Sequence, residues 1–306
     1  MSSPFGKAIV IANARAGTGS VGGNSPSLAQ LLDSTGIEYE IRTTERPGHA
    51  TELARQAIEE GCEYLIAVGG DGTIHEIVNG MMNEAGPIKP GIVLGIIPGG
   101  SGSDFLRTFG LPREPQDAVK HLSGENHFVV DVGRVTYHHD GTLKARYFAN
   151  IAEAGLGGEI VRRAARLPRL LGRVRYLISF WLTLGRFKTS DGRVFLTNRS
   201  YEGNIMNLVV ANAQFFGGGM RIAPKAHPGD GKFDVLVQKG TKRDYVAGIT
   251  KVFKGEHLPS PVIKEFMDAH VEVETNIPLQ IEADGEVLGF TPATFEIVPN
   301  AYRLKI

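Results

Sequence analysis

Residues 64–80 read YLIAVGGDGTIHEIVNG. Residues 64–68 form an apolar run of strand length that stops at two glycines. From 73 to 82 the apolar side chains fall at Ile74, Ile77, Val78 and Met81, the spacing of one helical face. A buried strand, a glycine turn and an amphipathic helix make the repeating unit of an α/β fold. The same alternation extends outward. Segments 7–13, 38–43 and 92–97 read as further strands, and 27–34, 49–60 and 115–123 as helices. Such a parallel sheet is covered on both faces and takes ligands at the carboxyl ends of its strands.

Beyond residue 127 the pattern changes. Segments 128–135, 143–151, 193–197, 205–211, 233–238, 270–275, 278–283, 294–298 and 302–306 read as strands, interrupted by helical patterns only at 158–188 and 241–254. Strand after strand without crossover helices predicts an antiparallel β domain. The expected organisation is two domains, a three-layer α/β nucleotide domain over 1–127 and an antiparallel β-sandwich over 128–306. The extreme C-terminal segment is expected to pack back on the first domain.

Composition excludes some roles. Lys plus Arg and Asp plus Glu both number 33 among 306 residues, so no global field draws the chain to nucleic acid. Cys62 is the only cysteine, which rules out an internal disulfide and fits a reducing compartment. The polar start, 1–7, lacks the features of a signal peptide, and no stretch approaches the ~20 apolar residues of a membrane span. The chain is expected in the cytoplasm, with membrane contact peripheral and local. A homodimer through an exposed strand edge stays open. The nine histidines show no zinc-like spacing with Cys62.

Three strand ends of the first domain run into loops rich in Gly, Ser and Asn, at 13–20, 69–73 and 98–104. In a parallel sheet they share one edge, where backbone N–H groups and helix N-termini can cradle phosphate. Arg15 adds positive charge. Asp71 repels a phosphate unless a metal or proton lies between. It therefore reads either as a Mg²⁺ or ribose ligand, or as an Asx turn or helix cap. No Walker lysine follows the glycines, and Gly217-Gly218-Gly219 precedes a strand-rich region rather than a nucleotide helix.

In the second domain, Asp230 and Asp234 stand four apart across an Asp-Gly turn, and Asp284-Gly285-Glu286 alone reads as a type I′ hairpin turn. Residues 159–188 carry eight Lys or Arg and one acid around an apolar run holding Trp181. This is either an interfacial helix or an ordinary packed one. Pro168 is expected to split it in two.

Taken in order, NxxxG from Asn13, TxxxGxA from Thr44, GGDGTxxE from Gly69, PxGxxxDF from Pro98, PxAxxxDGxFDV from Pro224 and the DGE of 284–286 resemble the diacylglycerol kinase superfamily, which includes bacterial soluble lipid kinases and sphingosine kinases. The resemblance covers essentially the whole chain. It departs at Ser103, where the family has Asn, and at His75, where bacterial members commonly have Asn and sphingosine kinases have His.

It implies ATP binding by Asn13, Ala14, Arg15, Ala16, Gly17, Thr44, Gly69, Gly70, Asp71, Gly72, Thr73, Ile74, His75 and Ser101. It also implies a cleft between the domains. A Mg²⁺ site would take the Asp230 carboxylate with the carbonyls of His227 and Lys232. Glu286 would accept the substrate proton, with Asp284 beside it and Asp71 at the phosphates; residues alone leave open which of Glu286 and Asp284 is the base. The implied activity is an ATP- and Mg²⁺-dependent lipid kinase acting on a diacylglycerol-like or sphingoid alcohol. Arg162, Arg163, Arg166, Arg169 and Arg173 are the candidates for facing the membrane. The alternatives are an NAD kinase-like enzyme, which shares GGDGT, and a nucleotide- or lipid-binding regulator.

Overall fold

The computed structural model describes residues 4–13, 27–99, 103–172 and 174–306. Its chain divides into two compact units. One comprises Met1–Val132, Gly217–Gly219 and Val298–Ile306; the other comprises Gly133–Phe216 and Met220–Ile297.

The first unit alternates β1 (Ala8–Asn13), α1 (Leu28–Asp33), β2 (Tyr39–Thr44), α2 (His49–Glu59), β3 (Tyr64–Gly69), α3 (Asp71–Gly80), β4 (Val93–Pro98), α4 (Asp104–Thr108) and α5 (Pro115–Ala118). The strands are parallel in the order β2-β1-β3-β4. β3 and β4 are buried along their whole length, as an α/β sheet covered on both faces requires. The last strand of the chain ends in this unit, where Arg303 and Leu304 pair parallel with Val93 and Leu94. Ser27 and Gln30 close a capping box on α1. The helix expected from Thr73 begins instead at Asp71, capped by Gly70. Sequence periodicity misses this first turn because its residues are not apolar.

The second unit holds β5 (His127–His139), which starts in the first unit, then β6 (Thr142–Phe148), β7 (Ile151–Gly155), α6 (Leu156–Ala165), α7 (Val174–Arg186), β8 (Ser190–Leu196), β9 (Arg199–Ile205) and β10 (Asn207–Ala211). It continues with β11 (Phe233–Gln238), α8 (Lys242–Lys254), β12 (Ile263–Asp268), β13 (His270–Thr275), β14 (Gln280–Ala283) and β15 (Glu286–Lys305). One antiparallel run orders β12-β11-β10-β7-β14-β15, and another β9-β8-β13-β15. Inward-facing Phe148, Phe233, Phe295, Val194, Val210 and Ile281 share one core. Phe148 stacks on Phe233 with ring centroids 5.6 Å apart.

Several strand expectations change here. The run 143–151 is two strands, broken at Ala149-Asn150. The amides of 149–151 are taken by a distant carboxylate instead of the ladder. Segments 294–298 and 302–306 are parts of one strand, β15. β9 and β12 escape the sequence reading because their burial is broken and partial, without a clean alternation. Pro168 separates α6 from α7, with a short 3-10 turn over Arg169–Leu171 between them. Gly217, Gly218 and Gly219 are a glycine segment with positive φ throughout (61°, 89° and 112°), assigned to the first unit.

Candidate functional site

Parallel register aligns the strand ends of the first unit. Asn13 pairs with Thr44, Val68 with Ala12, and Gly69 with Pro98, so Asn13, Thr44, Gly69 and Gly99 stand along one carboxyl edge. Ala14, Arg15, Ala16, Gly17 and Ser101 lie outside the described residues, as do Arg173 and the side chain of Arg169.

Side chains cross-link the motifs at this edge. Thr73 Oγ1 accepts from the Asn13 side-chain amide at 3.3 Å. A Cβ on Gly69 would come within 2.3 Å of that hydroxyl oxygen, so only glycine lets β3 turn into α3 here. Ile74 and His75 are buried. The Glu76 carboxylate accepts the Ala50 amide at 3.1 Å, at the start of α2, whose N-cap Gly48 (φ 83°) offers no side-chain acceptor. Thr51 Oγ1 donates to the Glu76 carbonyl at 2.8 Å. The two motifs TxxxGxA and GGDGTxxE are thus joined by hydrogen bonds that sequence spacing does not reveal.

Asp71 caps a helix in this structure. Its two oxygens accept the amides of Asp104 and Phe105 at 3.1 and 3.2 Å, the orphan donors at the start of α4. Ser103, the N-cap residue, makes no side-chain cap bond of its own. Asp104 is buried and its carboxylate accepts the Gly218 amide at 2.6 Å. The glycine triplet therefore serves as a partner for this acid and not as a dinucleotide fingerprint.

In the second unit the turn between β14 and β15 has φ 48° at Asp284 and 85° at Gly285, the type I′ geometry. Asp284 accepts the amides of Ala149, Asn150 and Ile151 at 2.7, 3.0 and 3.0 Å. That demand on its oxygens makes it a clamp on the β6–β7 break. Glu286 Oε2 receives Nε and Nη2 of Arg146 at 2.8 and 2.6 Å, with the carboxylate half-exposed. Arg146, on β6, carries no sequence signal of its own.

Asp230 Oδ1 accepts the Lys232 amide, and the His227 carbonyl accepts the Gly229 and Asp230 amides at 2.7 and 3.3 Å. Burial, then the charge of Asp230, pushes the Asp234 carboxyl up to about 6. The Asp230 carboxylate beside Asp234, with the His227 carbonyl in the same turn, is a set of oxygen donors that fits a hard cation.

Of the residues picked for membrane contact, Arg162 is paired with Glu159 at 2.6 Å and Arg163 donates to Thr183 at 2.9 Å. Arg166 is exposed. The apolar face of α7 leaves Val174, Leu177, Trp181 and Leu182 in solvent, and Leu170 just before it is fully exposed.

Two acids outside every motif lie beneath the 284–285 turn. Glu153 on β7 and Glu282 on β14 are register partners, 2% and 3% exposed. Burial pushes the Glu153 carboxyl up to about 7. Burial, then the charge of Glu153, holds Glu282 well above the ordinary range. The available sequence signal is an acid between apolar neighbours within a strand, at Ala152-Glu153-Ala154 and Ile281-Glu282-Ala283.

Models of two protein families match the chain. The diacylglycerol kinase catalytic domain matches residues 7–135, and the YegS C-terminal NAD kinase beta sandwich-like domain matches residues 150–306. A diacylglycerol kinase of Bacillus subtilis (strain 168) is 30% identical over 284 residues, 90% of this chain and 88% of the relative. One from Staphylococcus haemolyticus is 29% identical over 272 residues, 88% of this chain and 79% of the relative. The crystal structure of a diacylglycerol kinase from Bacillus anthracis str. Sterne has the same fold, with a TM-score of 0.71 at 24% identity over 99% of this chain and 97% of that one.

The buried pair sets a pH dependence of stability. An unfolded Glu153 loses its proton near 4.5, whereas the folded one keeps it to about 7. Folding stability therefore falls as pH rises across that interval. The melting temperature should drop on the order of 5–10 °C between pH 5 and pH 8, and Glu153→Gln should flatten the fall. A rising wild-type curve, or an unchanged slope in the variant, would remove this assignment.

Proposed function

Because the chain belongs to the family that joins a diacylglycerol kinase catalytic domain to a YegS C-terminal domain, we propose that it transfers the γ-phosphate of ATP to the hydroxyl of a diacylglycerol-like or sphingoid lipid. Family membership carries the class, a kinase with an alcohol acceptor. The observation that carries the nucleotide reading is the carboxyl edge of the first unit. There three parallel strands bring Asn13, Gly69 to Thr73 and Gly99 into line beside the N-terminus of α3.

Phosphoryl transfer asks a protein for positioning and charge neutralisation. Asn13, Thr44 and the glycine turn position the nucleotide, with residues 14–17 and Ser101 as further ligands. Asp71 holds the start of α4. Glu286 accepts the hydroxyl proton as that oxygen attacks phosphorus. Arg146 holds the Glu286 carboxylate in place. Asp284 fixes the turn in which it stands. His227, Asp230 and Lys232 would hold Mg²⁺, which supplies a local positive charge that the Asp230–Asp234 pair lacks. The membrane contact lies on α7, whose exposed Val174, Leu177 and Trp181 are joined by Arg166 and Arg175 nearby.

Purified protein with labelled ATP and a panel of lipids plus NAD should place label in the organic phase; label on NAD alone would move the chain to the NAD kinase reading. Glu286→Gln should lower kcat by ~100-fold or more. Asp71→Ala should be inactive and lose about 1 kcal/mol of stability through the cap. Turnover at the wild-type rate in either variant removes that residue from the reaction. Millimolar Mg²⁺ without ATP should raise the melting temperature of the wild type and not of Asp230→Asn; equal shifts would place the ion elsewhere. Vesicles containing anionic lipid should sediment with the protein and release it as salt rises. Failure to bind, or binding indifferent to salt, would argue against the α7 contact.

A further inference from the structure

Glu153 and Glu282 form a buried carboxyl pair that no step above uses. They face one another across the antiparallel β7–β14 ladder, where partner Cβ atoms stand about 4.5–5.5 Å apart. Two carboxyl groups at adjacent register positions inside a protein cannot both be charged without water, so one proton stays with the pair.

Each acid has a further partner at the opposite end of the pair. Glu282 Oε2 accepts the Gly285 amide at 2.8 Å, inside the turn that leads to Glu286. Glu153 Oε1 accepts from the Asn207 side-chain amide at 2.8 Å, and Asn207 Oδ1 in turn accepts the Gly157 amide at 3.0 Å. A Cβ on Gly157 would lie 2.0 Å from Glu153 Oε2, so the bare first turn of α6 rests directly on this carboxylate. The chain of contacts runs from the Gly285 amide to the start of α6.

Location of the shared proton follows from the surroundings. Glu153 has an amide donor and the positive end of α6, both favouring its charged form. Glu282 has the Gly285 amide but also the charge of Asp284 nearby. Tyr245, from α8, also faces Glu153 and is itself held protonated by burial and by that acid. Asn207, from β10, is neutral, and α6 presents glycine. The proton therefore sits on Glu282, whose Oε2 accepts the Gly285 amide at 2.8 Å.

We propose that Glu282, as the neutral member of this pair, is a positioning residue for phosphoryl transfer: it fixes the Gly285 amide and so sets the turn from which Glu286 acts. This rests on Glu286 being the proton acceptor. The role needs a neutral side chain with an acceptor oxygen, which a glutamine amide reproduces and a methionine of similar length does not.

Glu282→Gln, Glu282→Met and Glu282→Ala are compared in the full chain. Turnover is measured with the lipid that accepts phosphate in the panel, and Gly285 amide exchange by hydrogen–deuterium NMR. Expected for Met and Ala is a loss in kcat of ~10- to 100-fold with the KM for ATP within twofold, and faster Gly285 exchange. Gln should keep kcat within about threefold and keep the amide protected. Wild-type kcat in Met or Ala variants that fold and show fast exchange would overturn the proposal, as would a Gln variant no better than Met. If no panel lipid is phosphorylated, or if Glu286→Gln turns over normally, the base reading fails. The exchange comparison then still decides whether Glu282 holds the turn, and slow exchange in Met and Ala refutes it. If Met and Ala fail to fold, the Gln variant decides alone: its kcat and exchange must match the wild type.

Discussion

Asp284 accepts three successive backbone amides from a segment more than a hundred residues away. Those amides lie at the break between β6 and β7 and at the first residue of β7. Without an acceptor they would be buried donors, each costing roughly 1–3 kcal/mol. The carboxylate removes that cost and, with it, defines both strand ends and the turn that carries Glu286. The β14–β15 turn and the start of β7 are arranged around this one satisfied acid.

The same solution recurs across both units. Asp71 closes the N-terminus of α4, Glu76 that of α2, Asp104 the Gly218 amide, and Asp131 the Asn300 amide at 2.8 Å. Charge-assisted bonds of this kind are about twice as strong as neutral ones and are directional. Loops rich in glycine lose the most conformational entropy on folding. Carboxylates from distant segments fix such loops without adding side chains to them. Acidity in these motifs therefore has an architectural role beside any chemical one.

Much of the fold was legible in residue order. Apolar runs at 64–68 and 92–97, with Ile74, Ile77, Val78 and Met81 between them, are a periodicity that only a covered parallel sheet satisfies. The type I′ turn at Asp284-Gly285 was equally readable, since few residues tolerate positive φ at both positions. The break at 149–150 and the strands β9 and β12 were not. Their pairing depends on partners remote in sequence and leaves no clean alternation behind.

The candidate site divides along the same line. By itself the sequence determined which residue types are present at the strand ends: glycines for close backbone approach, and acids at 71, 230, 284 and 286. Local rules of φ, turn chemistry and periodicity reach that far because they act between near neighbours. Only the tertiary structure decided which acid faces which donor. It gave Asp71 the amides of α4, Asp284 the β6–β7 break, Glu286 a guanidinium, and set Glu153 against Glu282 in the interior. Charge and hydrogen-bond energies depend on distance in space and on the exclusion of water, and chain order specifies neither.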